Sequence, residues 1–136
     1  MQRKVNVRRL AGKQLLGTTR HHAVVTDRTL EEGGTDIGCT SGELLLLAIG
    51  SCSMGGLRRL FEERGVPCQN LSVDVFFEPQ QDLRQRDHIV ISINVDHDPI
   101  GVDTETIKAA ATSGGVTSRM TLGSEVDVRI ANARAC

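Results

Sequence analysis

Apolar and polar positions along the chain fall into two alternating rhythms separated by turn-rich stretches. Residues 4–8 (Lys-Val-Asn-Val-Arg) alternate with period two and predict a first strand. Residues 13–17 and 22–26 predict a second and third, the latter carrying Val24 and Val25 before Asp27. Glu31 to Thr40, with Gly33, Gly34 and Gly38, supports no regular element and predicts a loop. A long helix follows. Thr40 with Glu43 three residues on is a capping box, and Arg64, Gly65 and Pro67 supply a basic residue, a C-cap glycine and a breaker. The first half of this helix, Leu44 to Ile49, is apolar all round, which predicts enclosure on every side. Its second half is amphipathic.

Leu71, Val73, Val75 and Phe77 share one face of a fourth strand, and Ile89, Ile91, Ile93 and Val95 one face of a fifth. The polar stretch Pro79 to Asp87 joins them as a hairpin loop. Asp103 caps a helix over about residues 104–112 that ends at Gly114-Gly115, and residues 126–130 (Val, Asp, Val, Arg, Ile) predict a last strand closing the sheet. Three strands, a long helix, a hairpin, a second helix and a strand make an α+β fold, with residues 1–136 as a single domain without repeat or linker. One domain of this length buries roughly 68% of its unfolded surface. With three Phe and neither Trp nor Tyr, it has few large side chains to enclose the apolar helix. A second copy of the chain is therefore expected to cover it, giving an intimate homodimer. A concentration-independent monomer mass in solution would contradict that expectation.

Charge narrows the partners. A formal net charge of −1 gives no electrostatic footprint for nucleic acid or an anionic membrane, and the scarcity of aromatics removes the stacking platforms of single-strand binders. The N-terminus lacks the continuous apolar core of a secretory signal. The apolar run Leu44 to Leu57 falls short of the about 20 residues of a membrane span, so it predicts a core helix in a cytoplasmic protein. The cysteines at 39, 52, 68 and 136 form no Cys-x-x-Cys pair and no disulfide framework. His21 and His22, adjacent on a predicted strand, face opposite ways and cannot share a metal ion. Asp96-His97-Asp98 predicts an exposed turn, and no Gly-rich phosphate loop is present. No cofactor and no metal are expected.

The candidate chemistry centres on Gly50-Ser51-Cys52-Ser53-Met54-Gly55-Gly56. Three glycines inside a helix cost about 1 kcal/mol each relative to alanine, so the backbone there is approached closely or bent. Small residues around Cys52 fit tight helix packing and a small pocket about the thiol.

The block Gly33-Gly34-Thr35-Asp36-Ile37-Gly38-Cys39-Thr40-Ser41-Gly42-Glu43-Leu44-Leu45-Leu46, followed by Ala48-Ile49-Gly50-Ser51-Cys52, resembles the signature of the OsmC/Ohr superfamily of osmotically inducible and organic hydroperoxide resistance proteins. The resemblance runs over about residues 15–131. It implies antiparallel sheets wrapped around a long central helix in an intertwined homodimer with sites at the subunit interface. It also implies Cys52 as a peroxidatic thiolate and Arg20, in Thr18-Thr19-Arg20, as the activating cation. Active members use a second cysteine after the second helix; the matching stretch here is Ser113-Gly114-Gly115-Val116-Thr117-Ser118, with Gly114 in its place. The activating glutamate's place falls on Gly42, and Glu43 turns to nearly the opposite helix face from Cys52. Arg59, about 10 Å along the axis from Cys52, reads as a solvated helix end. Two functions follow as expectations. One is a one-cysteine thiol-dependent hydroperoxide reductase resolved by an external thiol. The other is a non-catalytic dimeric protein binding a small apolar or thiol-containing ligand near Cys52.

Overall fold

The computed structural model describes residues 3–67, 70–79, 82, 88–95 and 101–131. The order is β1 (Asn6–Arg9), β2 (Leu15–Thr19), β3 (His22–Thr26), α1 (Ser41–Glu63), β4 (Ser72–Glu78), β5 (His88–Asn94), α2 (Thr104–Thr112) and α3 (Gly115–Leu122). Two compact units contain these elements, one of residues 1–50 and 74–92, the other of residues 51–73 and 93–136. The fold is α+β with small sheets, as the alternating rhythms predict.

In the first unit β1, β2 and β3 form an antiparallel meander, with Arg8 opposite Leu16 and Leu16 opposite Val25. A two-residue turn, Arg20-His21, joins β2 to β3 across the Thr19–His22 pair, so His21 lies in the turn rather than in a strand. The glycine-rich loop that follows is organised by Asp27, which is 3% exposed. Its carboxylate accepts hydrogen bonds from the amides of Arg28 (2.7 Å), Thr35 (3.1 Å) and Ile37 (3.3 Å) and from the Thr35 hydroxyl (2.6 Å). The Thr35 hydroxyl leads in holding this carboxyl below the usual carboxylate range. The loop then returns to bridge Cys39 to Thr26 in parallel sense.

Helix α1 begins and ends as its sequence dictates. The Thr40 amide donates to Glu43 Oε1 (2.9 Å) and the Glu43 amide to Thr40 Oγ1 (3.2 Å), a reciprocal capping box. At the other end Gly65 takes φ +65°. Its amide donates to the Glu62 carbonyl and the Val66 amide to that of Phe61, which is a Schellman closure. The expected enclosure is not met within one chain: Leu45 is 37% and Leu47 62% exposed, and of the Leu44–Ile49 run Ile49 alone is buried.

The second unit holds most of the buried apolar side chains. Leu57 and Phe61 of α1 are fully buried, and Ala111 of α2 and Thr117 of α3 are buried. Gly56 is where the backbones meet: a Cβ built on it would overlap the Ala110 carbonyl oxygen, whereas one on Gly55 would meet open space. Ser53 is fully buried and its hydroxyl has no hydrogen-bond partner among the described residues. Such a group costs about 1–3 kcal/mol of desolvation. Ser53→Ala is therefore expected to stabilise the fold by about 1 kcal/mol and to raise the melting temperature by roughly 3–5 °C. An unchanged or lower melting temperature in a thermal scan would contradict this.

Strands β4 and β5 pair in a second sheet, and Asp103 caps α2 by accepting from the Thr106 amide (2.8 Å). The loop expected over Pro79–Asp87 lies largely outside the described residues, as do Asp96, His97 and Asp98. Helix α2 spans 104–112 as expected, and Gly114 and Gly115 then open a third helix that the sequence did not announce. One expectation is corrected. Residues 126–130 form no strand, and Val126, Val128 and Ile130 are 86%, 85% and 83% exposed. Their period-two pattern puts all three on one face, but among the described residues no strand of the same chain pairs with them.

Candidate active site

Cys52 lies near the middle of α1, half-buried, and faces the start of α3. The first amides of a helix have no intrahelical partners and carry the positive end of its dipole, so a sulfur placed there meets donors suited to an anion. The Thr117 amide is the strongest influence and favours the thiolate. Burial opposes it, and the Val116 amide and then the Thr117 hydroxyl act in the same direction as the first. The net effect holds the Cys52 thiol below its ordinary value. Thr117 is itself 7% exposed. Its hydroxyl reaches toward the sulfur without full hydrogen-bond geometry, which leaves it a buried donor without a partner among the described residues.

Gly114 caps α3 with extended backbone (φ −75°, ψ 160°) and lies directly against the thiol, since a Cβ built on it would overlap Cys52 Sγ. Position 114 thus faces the reactive sulfur but has room for no side chain in this arrangement. Gly42 differs. A Cβ there would meet Phe77 Cε2 at 3.9 Å and Thr40 Oγ1 at 4.0 Å, ordinary contacts, so no steric demand keeps a side chain away.

The remaining candidates are placed as follows. Arg20 belongs to the first unit, exposed at the β2–β3 turn with φ 50°, a left-handed conformation uncommon for a long side chain. Cys52 belongs to the second, and the groups that lower its pKa are all on α3. Glu43 is exposed and spends its carboxylate on the α1 cap; Arg59 is exposed. Cys39 is half-buried beside the Asp27 loop, while Cys68 and Cys136 lie outside the described residues. On a neighbouring face of α1, Ser51, Met54, Gly55 and Arg58, with Leu71, line an open groove of about 330 Å³; Cys52 is not part of its lining. Thr117 escaped sequence reasoning because nothing in Gly-Gly-Val-Thr-Ser-Arg announces a helix. Its one signal was its position three residues beyond the glycine in the second cysteine's place.

The arrangement is a helix-borne cysteine whose sulfur meets the N-terminal amides of a second helix, within a small α+β fold. The family whose description is "OsmC-like protein" matches residues 33–130, and the chain belongs to it. Among solved structures, an osmotic stress induced and detoxification response protein from Psychrobacter arcticus 273-4 superposes with a TM-score of 0.62 at 16% identity, covering 84% of this chain and 85% of that one. The organic hydroperoxide resistance protein OsmC from Legionella pneumophila superposes with a TM-score of 0.57 at 8% identity, covering 88% and 89%. At these identities the likeness establishes the fold. No curated protein sequence matches the chain. Helix α1 has the length and apolarity of a membrane span, a test that the core helix of a globular protein also passes.

Proposed function

We propose that this chain is a homodimeric, cytoplasmic, one-cysteine hydroperoxide reductase with Cys52 as nucleophile. The observation that carries this reading is the placement of the Cys52 sulfur at the α3 N-terminus, where the Thr117 and Val116 amides favour the thiolate. The thiolate attacks one oxygen of the hydroperoxide; an S–O bond forms, the O–O bond breaks, and the alkoxide leaves and takes a proton from solvent. Cys52 becomes a sulfenic acid while the peroxide is reduced to an alcohol. With Gly114 in the second cysteine's place, an external thiol attacks the sulfenic sulfur and releases water. A second thiol then displaces the mixed disulfide and restores Cys52. Arg20 supplies positive charge to the site in the assembled protein.

Two features of the single chain support the dimer. The first half of α1 leaves Leu45 and Leu47 exposed, and the alternating Val126, Val128 and Ile130 are exposed with no strand of the described residues pairing with them. The names of the solved relatives, hydroperoxide resistance and detoxification, agree with peroxide chemistry. Gly114 also favours a second reading, a dimer that holds a small apolar or thiol-containing ligand without turning it over.

Product analysis separates the two. The protein is treated with one equivalent of cumene hydroperoxide and then with dimedone or with a monothiol, and the Cys52 peptide is weighed. A dimedone adduct in the first case and a mixed disulfide in the second are expected. An unmodified Cys52 sinks the enzyme reading and leaves the binding one. A disulfide from Cys52 to Cys39, Cys68 or Cys136 sinks the one-cysteine cycle.

A further inference from the structure

Two side-chain hydroxyls are buried without a partner among the described residues, those of Ser53 and Thr117. Ser53 sits in the α1 packing face with Leu57, whereas Thr117 is the third residue of α3, with its amide and its hydroxyl both on the side of the Cys52 sulfur. A buried hydroxyl left without a full hydrogen bond destabilises the resting protein unless something arrives to accept from it. What arrives at this sulfur during peroxide reduction is an oxygen atom.

We propose that the Thr117 hydroxyl is a catalytic donor that hydrogen-bonds the peroxide oxygen attacked by Cys52 and stays bonded to that oxygen in the resulting sulfenic acid. The inference rests on the hydroperoxide-reductase reading and adds a residue to it. The chemistry divides the work on Thr117. Its amide is fixed by the helix and serves the thiolate, while its hydroxyl is a rotor that can swing from the sulfur to an oxygen beside it. Turning away from the sulfur also removes the hydroxyl's weak pull on the nucleophile as the S–O bond forms. The O–O electron pair leaves with the alkoxide, the alkoxide takes its proton from solvent, and the threonine keeps its own. Gly114 fits the same picture. With no Cβ between α3 and the sulfur, the approach to Cys52 beside Thr117 is not filled by a side chain at that position.

The test compares two reagents that use the same thiolate. Cumene hydroperoxide delivers an oxygen to the sulfur, and iodoacetamide delivers a carbon that accepts no hydrogen bond. Both rates are read at the Cys52 peptide across the thiol's titration. For Thr117→Val, the hydroperoxide rate above the titration midpoint is expected to fall by about tenfold or more, the scale of a hydrogen bond to a charged reacting group. The alkylation rate is expected to stay within about twofold, because the thiolate is fully formed there. Thr117→Ser, which keeps the hydroxyl, is expected to recover most of the hydroperoxide rate, and Thr117→Ala replaces the valine variant should that one fail to fold. Equal losses with both reagents, or no loss with either, overturn the proposal while the wild-type hydroperoxide rate exceeds that of free cysteine. A wild-type rate no faster than free cysteine overturns the reductase reading itself, and this inference with it.

Discussion

Gly114→Ala is expected to leave the protein folded and to slow oxidation of Cys52 by a hydroperoxide at neutral pH by about tenfold, the scale of losing hydrogen bonds to a charged reacting group. The cause is steric and local. A Cβ at position 114 overlaps the Cys52 sulfur, and the sulfur is the movable end of a side chain. Rotation about the Cys52 Cα–Cβ bond relieves the overlap and takes the sulfur away from the Thr117 and Val116 amides that favour its ionisation. The thiol then returns toward its ordinary range, and less of it is thiolate at neutral pH. The variant is checked by thiolate absorbance against pH and by its hydroperoxide rate. An unchanged titration midpoint would show that α3 does not activate the thiol. Gly114→Cys meets the same overlap, so refilling the second cysteine's place does not by itself rebuild a two-cysteine cycle.

The largest effect on stability is expected one turn away, at Gly56. Here the atom in the way of a Cβ is the carbonyl oxygen of Ala110, part of the α2 backbone and unable to rotate aside. Gly56→Ala must push α2 off α1 in the best-packed part of the second unit, where Leu57, Phe61 and Ala111 are buried. Overpacking of this kind costs about 1–3 kcal/mol and more when backbone must move, against about 1 kcal/mol regained from helix propensity. A net loss of about 2 kcal/mol is expected, seen as a lower urea midpoint with an unchanged slope. Gly55→Ala provides the matched contrast. Its Cβ enters open space, so propensity acts alone and stability is expected to rise by about 1 kcal/mol. Two adjacent alanines with the same sign of effect would contradict the packing described here.

These two glycines also mark how far the sequence could be read. That Gly55 and Gly56 sit in a helix was legible, because Thr40 with Glu43 and Gly65 with Pro67 fix both ends of α1 by local chemistry. Which of the two meets another backbone was not, since that depends on where α2 lies. The Asp103 cap and the β1–β3 meander were legible for the same local reasons. Helix α3 was not. Gly114 and Gly115 read locally as a stop, and Val116, Thr117 and Ser118 have weak helix propensity, so the helix is set by its packing rather than by its own sequence. With it went the feature that activates Cys52. The thiol could be singled out from its small neighbours and from the family resemblance, but its activating donors lie more than sixty residues further along the chain. The segment Val126 to Ile130 failed in the opposite way. Its alternation is real, but a strand needs an edge to pair with, and the described residues of one chain do not supply it.

Folding lowers the pKa of Cys52, so the stability gained from its thiolate is complete above the ordinary thiol value. It is lost as the pH falls through the folded-state value. Reactivity follows the same curve, because the thiolate is the nucleophile. The most direct measurement is therefore the second-order rate of Cys52 oxidation by cumene hydroperoxide from about pH 5 to about pH 10, beside free cysteine over the same range. The account predicts a midpoint below that of free cysteine and a faster rate at neutral pH. A midpoint at or above that of free cysteine, with a rate no faster, would contradict it.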